Sequence, residues 1–329
     1  MNENTTIVIL DGYTINPGDN PWSPVEVLGR CTIHDRTPTE LKVERARDAD
    51  ILLTSKCKLD AATLEALPRL KYISMLATGF NNVDVAEAGR RGIPVSNVPA
   101  YSTESVVQTT FALLLELATA VGIHDAAVKA GEWVRCPDHA FWKTSITELD
   151  GLTIGIVGYG TIGRAVARVA AAFGMQVIAF APRVPQDPGP TPVRFVELPE
   201  LFATADVVTL NCPETADNTG FVNLSLLSVM KPTAFFINVA RGGLVNEADL
   251  ARALADGTLA GAGLDVVAYE PMRADNPLRA APNCIFTPHI AWASLAARRR
   301  LMGIVAANVS SFLNGSPINL VNDRYLKPL

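Results

Sequence analysis

The chain has 329 residues, 49% of them hydrophobic and 19% charged, with a formal net charge of −5. That length exceeds one ordinary hydrophobic core and suits two domains that each bury their own. The small negative charge excludes the broad basic field that nucleic acid or anionic lipid would need, so the expected partner is a small metabolite. Five cysteines, Cys31, Cys57, Cys136, Cys212 and Cys284, are odd in number and widely spaced with no C-x-x-C pair. They read as reduced, mostly buried thiols, and no metal site is expected. Met1-Asn2-Glu3-Asn4 runs into the apolar Ile7–Leu10 with no basic leader, and the apolar stretch from Phe111 to Val121 is interrupted by Glu116. Neither pattern fits a signal peptide or a membrane span, which points to a cytoplasmic protein.

Short Val/Ile-rich runs alternate with amphipathic segments almost throughout, the pattern of βαβ units with parallel sheets, so the fold class is α/β. A first series of strands is predicted at Ile7–Leu10, Ile51–Thr54, Tyr72–Leu76 and Pro94–Val98, with helices near Leu59–Leu67 and Val83–Arg91. One long helix from Thr103 to Ala130 follows, with Ser102 or Thr103 as its cap and Gly131 as its stop. A second series is predicted at Thr153–Val157, Gln176–Phe180, Val207–Leu210, Phe235–Val239, Leu264–Val267 and Cys284–Thr287. The last helix, about Ala293 to Leu313, is the only remaining material able to return to the first domain. That domain is therefore expected to be discontinuous, residues 1–100 with 291–329, around a second domain of residues 101–290. The Pro-rich stretch Val184–Pro192 reads as a surface loop.

Gly158-Tyr159-Gly160-Thr161-Ile162-Gly163 follows the strand Thr153–Val157 and opens a helix, which places G-x-G-x-x-G in the strand-turn-helix context of a dinucleotide site. The first Gly permits the tight turn, the second admits a pyrophosphate, and the third lets the helix pack on the strand. Unpaired N–H groups at the helix start, at Thr161 and Ile162, would then face the phosphates. At the end of the next strand an NAD site usually has an acid for the ribose hydroxyls, but Ala181 stands there, with Arg183 two residues on. An Arg at that point suits the 2′-phosphate of NADP, although it also suits a solvated loop, so the nicotinamide cofactor is read as NAD(P)(H) with a slight lean to NADP.

Arg241, Glu270 and His289 each follow a predicted strand of the second series, at the edge where open α/β sheets bind ligands. A guanidinium fork can hold a carboxylate and polarise an adjacent keto group, and an imidazole can give and take the hydroxyl proton. A carboxylate beside that imidazole favours its protonated form, the form needed to donate during reduction. Singly, each residue has a plainer reading as a solvated or capping group. Among the histidines His34, His124, His139 and His289, only the last stands after a strand of the second series and close to the final helix.

With these segments in view, GLTIGIVGYGTIG from Gly151, INVARGGLVNEADL from Ile237, GAGLDVVAYEP from Gly261 and TPHIAWAS from Thr287, the chain resembles the D-isomer-specific 2-hydroxyacid dehydrogenase family over nearly its whole length. The segments ILDGYTINPGDNPW, LATGFNNVD and NVPAYSTESV are most similar to its glycerate dehydrogenase or hydroxypyruvate reductase branch. The resemblance implies a Rossmann-type dinucleotide-binding domain and a flavodoxin-like substrate domain. It implies that Arg241 binds substrate, Glu270 partners the histidine and His289 is the general acid/base. It also implies that Asp265 lies beside the nicotinamide carboxamide, and that Cys212, Pro213, Val239 and Ala240 flank the cofactor. The turn Ala77-Thr78-Gly79 would offer backbone N–H groups to the substrate carboxylate, with Ser102 nearby. Plainer readings of Asp265 as a turn cap and Ser102 as a helix cap stay open. Ala181 departs from many NAD-using relatives, and Asn211 stands where relatives often have His.

The implied reaction is reduction of a small 2-keto acid to its D-2-hydroxy acid, foremost hydroxypyruvate to D-glycerate with glyoxylate as a second substrate. A D-lactate or other D-2-hydroxyacid dehydrogenase is the near alternative, and a dinucleotide-sensing corepressor on the same scaffold is the alternative of another class. The family also implies a homodimer through the dinucleotide domain, with Trp133 and Trp142 as interface aromatics and Trp142 able to reach a partner's site.

Overall fold

The computed structural model describes residues 5–326, so the opening tetrapeptide, read above as carrying no leader, lies outside the described residues. Two compact units form: one runs to Ser102 and resumes at Ala293, and the other spans Thr103–Trp292. Each junction falls two residues beyond the sequence-based limit. A helix begins at Thr103, and the Trp292 indole N–H donates to the His289 carbonyl at 2.9 Å, holding Trp292 to the second unit.

The first unit is built on β1 (Thr6–Ile9), β2 (Arg30–Ile33), β3 (Ile51–Thr54), β4 (Tyr72–Met75) and β5 (Val95–Ser96), all parallel in the order β2-β1-β3-β4-β5. β1, β3 and β4 are buried at every residue, as near-continuous apolar runs should be when both faces are covered. β2 escaped the sequence reading because it is an edge strand that buries only alternate residues partially. The returning helix Leu295–Leu313, capped by Ser294, packs on β4, where Phe312 stacks on Tyr72 with ring centroids 4.3 Å apart. Asn322 stitches the end of the described chain to the sheet: its Oδ1 accepts from Val95 N–H at 2.9 Å and its Nδ2 donates to the Ile93 carbonyl at 2.9 Å. Arg298 of the same helix is buried, and its fork holds Asp19 at 2.5 and 2.7 Å while also donating to Ile15 O.

The second unit holds β6 (Thr153–Val157), β7 (Gln176–Phe180), β8 (Arg194–Phe195), β9 (Val207–Leu210), β10 (Phe235–Asn238), β11 (Gly261–Leu264) and β12 (Cys284–Phe286), all parallel in the order β12-β11-β10-β9-β6-β7-β8. The order reverses between β6 and β9, which makes this a doubly wound Rossmann-type sheet. β11 lies three residues earlier than Leu264–Val267, because Gly261-Ala262-Gly263 carries too little bulk to read as a strand. The smallness serves packing: a Cβ on Gly263 would sit 2.9 Å from Leu113 Cβ, and one on Gly261 would sit 3.0 Å from Leu117 Cδ2. The helix bearing those leucines is thereby brought close onto the sheet. β8, a two-residue edge strand, was also missed, and Val184–Pro192 before it carries no helix or strand.

The single helix expected from Thr103 to Ala130 is in fact two, Thr103–Thr119 and Val121–Lys129, bent by 57° at Ala120. Ala120 takes φ +48°, and the Glu116 carboxylate accepts the Gly122 N–H at 3.1 Å that the break leaves over. Nothing in apolar periodicity marks such a break, since Ala is an ordinary helix former. Among the described residues no single helix is long and apolar enough to cross a membrane. The cysteines are free and half-buried rather than mostly buried, and burial pushes Cys31, Cys57 and Cys212 up to about 11 and Cys284 to about 12.

Asp50 gives the first unit an acid-sensitive fastening. Burial works to raise its pKa, but the Thr6 N–H at 3.0 Å and Lys71 at 3.1 Å outweigh it and hold the carboxyl below 3.8. A depressed folded-state pKa adds stability above the unfolded value, and that stability is lost as pH falls through the folded one. Melting temperature should therefore drop more steeply between about pH 5 and pH 3 in the wild type than in Asp50→Asn, as followed by circular dichroism; parallel curves would contradict the assignment.

Candidate active site

The turn after β6 is shaped by what a side chain would strike. A Cβ on Gly158, at φ +97°, would lie 2.7 Å from Cys212 N, and a Cβ on Gly163 would lie 2.1 Å from Gly158 O. Those two glycines close the turn against β9 and seat the helix Thr161–Ala172. Around Gly160 nothing lies within 4 Å of the Cβ position, so this glycine borders open space rather than protein. No side chain caps the helix, and no acid stands in its first turn, which leaves the N–H groups of Thr161, Ile162 and Gly163 for an anion. This cradle fits the pyrophosphate of a dinucleotide. Gly158 N–H also donates to Phe180 O at 2.9 Å, setting the end of β7 beside the turn. Ala181 is half-buried there, and Arg183 is exposed and forms no ion pair among the described residues. On the other flank Asn211 Oδ1 is buried without a hydrogen-bond partner, next to the neutral thiol of Cys212 and to Pro213.

The polar residues after β10, β11 and β12 are joined by a relay of backbone bonds. Asn238 Nδ2 donates to Arg241 O at 2.9 Å, and its Oδ1 accepts from Ala240 N–H at 3.0 Å. Asp265 N–H donates to Asn238 O at 2.9 Å, and His289 N–H donates to Asp265 O at 2.7 Å. Val239 is buried in the core, whereas Arg241 is exposed and spends one N–H on the Ala240 carbonyl at 2.7 Å. Gly242 lets the Arg241 turn lie on the Glu270 loop, since a Cβ there would fall 1.8 Å from the Val267 carbonyl carbon. Glu247 fastens that loop from below, accepting from Ala268 N–H at 2.8 Å and Asn276 Nδ2 at 3.0 Å.

Asp265 is 2% exposed, and its carboxylate accepts from Thr287 Oγ1 at 2.6 Å, Ile290 N–H at 2.8 Å and Ala291 N–H at 3.0 Å. Burial nevertheless raises its pKa, against the pull of those donors. The segment so gathered gives His289 φ +55°. Its Nδ1–H donates to Glu270 Oε2 at 2.5 Å, and both side chains are about one-quarter to one-third exposed. With Nδ1 engaged, Nε2 is the ring atom left for a reacting group. The arrangement can deliver a proton from an oriented imidazole on the same sheet edge as Arg241, which is the acid/base half of a hydride-transfer reaction.

In the first unit, Ala77-Thr78-Gly79 follows β4. Val98 N–H donates to Ala77 O at 3.0 Å, Thr78 Oγ1 donates to Val98 O at 2.7 Å, and Asn97 Nδ2 donates to Thr78 O at 2.8 Å. Ser102, half-buried, ends this part of the unit. Residues missed from sequence are Asn238, Glu247 and Gly242, whose only signal was their nearness to Arg241 in the chain.

The family model for "D-isomer specific 2-hydroxyacid dehydrogenase, NAD binding domain" matches residues 111–291. The chain belongs to the D-isomer-specific 2-hydroxyacid dehydrogenase family. It is a nicotinamide-dependent oxidoreductase acting on a small 2-keto or 2-hydroxy acid. This dehydrogenase is 45% identical to a hydroxypyruvate reductase of Blautia hydrogenotrophica, over 96% of this chain and 99% of that one. It is 40% identical to a glycerate dehydrogenase of Methylorubrum extorquens, over 87% and 89%. Its fold matches the crystal structure of an NADPH-dependent glyoxylate/hydroxypyruvate reductase from Sinorhizobium meliloti in complex with NADP and malonate, with a TM-score of 0.84 and 30% identity over 99% of both chains.

The glycine turn makes a split prediction. Gly160→Ala should leave the melting temperature of the protein alone within about 2 °C, yet weaken binding of the reduced nicotinamide cofactor, NADH or NADPH, at least tenfold by fluorescence titration, because the methyl enters only the open space. Gly163→Ala should lower the melting temperature by several degrees before any cofactor is added, from about 2–3 kcal/mol of overpacking. Equal melting losses in both would contradict this division of roles.

Proposed function

We propose that this dehydrogenase reduces hydroxypyruvate to D-glycerate, with glyoxylate as a second substrate. The observation that carries the reading is the His289–Glu270 pair, held at 2.5 Å on a strand end that shares a hydrogen-bond relay with Arg241. The 45% identical hydroxypyruvate reductase and the 40% identical glycerate dehydrogenase support the choice of substrate.

In this reading Gly158, Gly160, Thr161, Ile162 and Gly163 would seat a reduced nicotinamide dinucleotide, with Cys212, Pro213, Val239, Ala240 and Asp265 flanking it, and the bound cofactor would supply the hydride. Arg241 turns its remaining N–H groups to the substrate, pairing with the carboxylate and drawing electron density from the keto group. In this reading the backbone N–H groups of Ala77, Thr78 and Gly79, with Ser102, belong to the substrate-binding set of the first unit. His289 Nε2 gives its proton to the keto oxygen as the carbon becomes tetrahedral, and Glu270 aims the ring through Nδ1. In the reverse direction the neutral ring takes the hydroxyl proton.

For the cofactor we favour NADP(H) over NAD(H), on Ala181 in the place of a ribose-binding acid and on Arg183 beyond it, which has no ion pair among the described residues. The NADP complex of the 30% identical Sinorhizobium reductase supports that preference. A homodimer formed through the second unit also belongs to this reading. Its support is the run of exposed apolar side chains at Val121, Ile123, Trp133, Val134, Trp142 and Ile146, more than a monomer usually leaves in water.

Initial rates read at the reduced-nicotinamide absorbance, with NADH and NADPH each crossed against hydroxypyruvate, glyoxylate, pyruvate and 3-phosphohydroxypyruvate, test the proposal. Hydroxypyruvate should give the highest kcat/KM, with NADPH ahead of NADH, and His289→Ala should lose about 10²–10⁴-fold in kcat. Pyruvate as the best substrate would turn the reading to a D-lactate dehydrogenase. Cofactor binding without turnover on any of the acids would turn it to a sensing role.

A further inference from the structure

The carboxyl edge of the first sheet carries a clamp that the chemistry above does not use. In the order β2-β1-β3-β4-β5 the winding reverses between β1 and β3, the switch point beside which such sheets take ligands. Asp11 leaves β1 at that point, and Ser55, Lys56 and Cys57 leave β3. The half-buried Asp11 carboxylate accepts Ser55 N–H at 2.8 Å through Oδ1, and through Oδ2 it accepts Lys56 N–H at 2.5 Å, Cys57 N–H at 3.0 Å and Thr54 Oγ1–H at 3.1 Å. Asn82 closes the loop from the opposite side, its Nδ2 donating to Cys57 O at 2.8 Å and Ser55 O at 3.3 Å. Bonds to a charged acceptor are the stronger kind, and four donors on one carboxylate fix a three-residue loop that has no helix or strand of its own.

The clamp continues into the turn assigned to the substrate carboxylate. Asn82 lies three residues past Gly79, and the turn is held from its far side by Asn97 and Val98. Side-chain bonds thus tie the loops of β1 and β3 through Asp11 and the loops of β4 and β5 through Thr78 and Asn97, with Asn82 fastening the chain after the carboxylate turn to the 55–57 loop on the neighbouring strand. Adjacent strands stand about 4.8 Å apart. That spacing suits a three-carbon acid whose carboxylate rests on one strand's loop and whose C3 substituent meets the next. With its backbone N–H groups spent on Asp11, the loop has the side chains of half-buried Ser55 and exposed Lys56 left to meet a ligand.

We propose that Asp11 is a positioning residue for substrate selectivity: by fixing the loop 55–57 it holds the wall that meets the C3 hydroxymethyl of hydroxypyruvate. Glyoxylate has no C3 and does not need that wall. The proposal rests on the hydroxypyruvate reading above, and glyoxylate serves as the internal control.

The test is the ratio of kcat/KM on hydroxypyruvate to kcat/KM on glyoxylate in the wild type, in Asp11→Asn, which keeps size but loses the charge, and in Asn82→Ala, which loosens the loop from the other side. Melting temperature is followed in parallel. The ratio should fall at least tenfold in Asp11→Asn, through KM for hydroxypyruvate, and in the same direction in Asn82→Ala, with glyoxylate turnover changed no more than about threefold. If Asp11→Asn does not fold, the Asn82→Ala ratio decides alone. A ratio unchanged in the folded variants, or equal loss on both substrates, overturns the role of Asp11 and leaves the functional reading intact. A wild type inactive on both acids overturns the functional reading and this role with it.

Discussion

The second unit depends on one buried carboxylate. Asp265 is all but removed from solvent, a placement that costs several kcal/mol for a charged group left unpaired. Three donors, the Thr287 hydroxyl and the Ile290 and Ala291 N–H groups, offset part of it, each bond to a charged acceptor contributing about 1.5–3 kcal/mol, while burial still raises the carboxyl's pKa. Drawing those groups inward curls residues 287–291 around the carboxylate and forces His289 to φ +55°, a conformation that costs a non-glycine residue about 1–3 kcal/mol. Such a cost persists only where the surroundings over-determine it. Here they do: the His289 N–H is held by Asp265 O and its ring by Glu270. The histidine is thus aimed by a carboxylate it never touches through its side chain.

The same economy runs through both sheets, in which loops at the carboxyl ends are fixed by single side chains rather than by bulk. Asn238 secures the Arg241 turn, Glu247 the Glu270 loop, Asp11 the 55–57 loop, and Asn97 the turn at Thr78. At the strand ends glycine lets backbone meet backbone, as at Gly242 against Val267 and Gly163 against Gly158, whereas Gly160 faces space. The two winding orders differ in where they reverse, so each unit opens its crevice at a different pair of strands, β1 and β3 in one and β6 and β9 in the other.

Much of this could be read from residue order because the signals were local. The glycine turn announces itself by spacing, and β1, β3, β4, β6, β7 and β9 by unbroken apolar runs that end at the carboxyl edge. Arg241, Glu270 and His289 stood out because each follows such a run, and Glu270 and His289 are directly bonded. What escaped depended on partners distant in the chain. The strand Gly261–Leu264 is legible only once Leu113 and Leu117 are known to press on its glycines. The break at Ala120 relies on Glu116 reaching the Gly122 N–H, and Asp11 serves a loop forty-five residues away at Lys56. β2 and β8 are edge strands whose pairing, not composition, makes them strands.

The central claim is that His289, aimed by Glu270 and by the Asp265 curl, delivers the proton while the hydride reaches one chosen face of a 2-keto acid. The configuration of the product tests it most directly: hydroxypyruvate reduced to completion by the wild-type enzyme, with the glycerate resolved by chiral chromatography. The account predicts D-glycerate alone, because a fixed imidazole and a fixed arginine leave the keto acid one orientation. L-glycerate, or a mixture of the two, would contradict it.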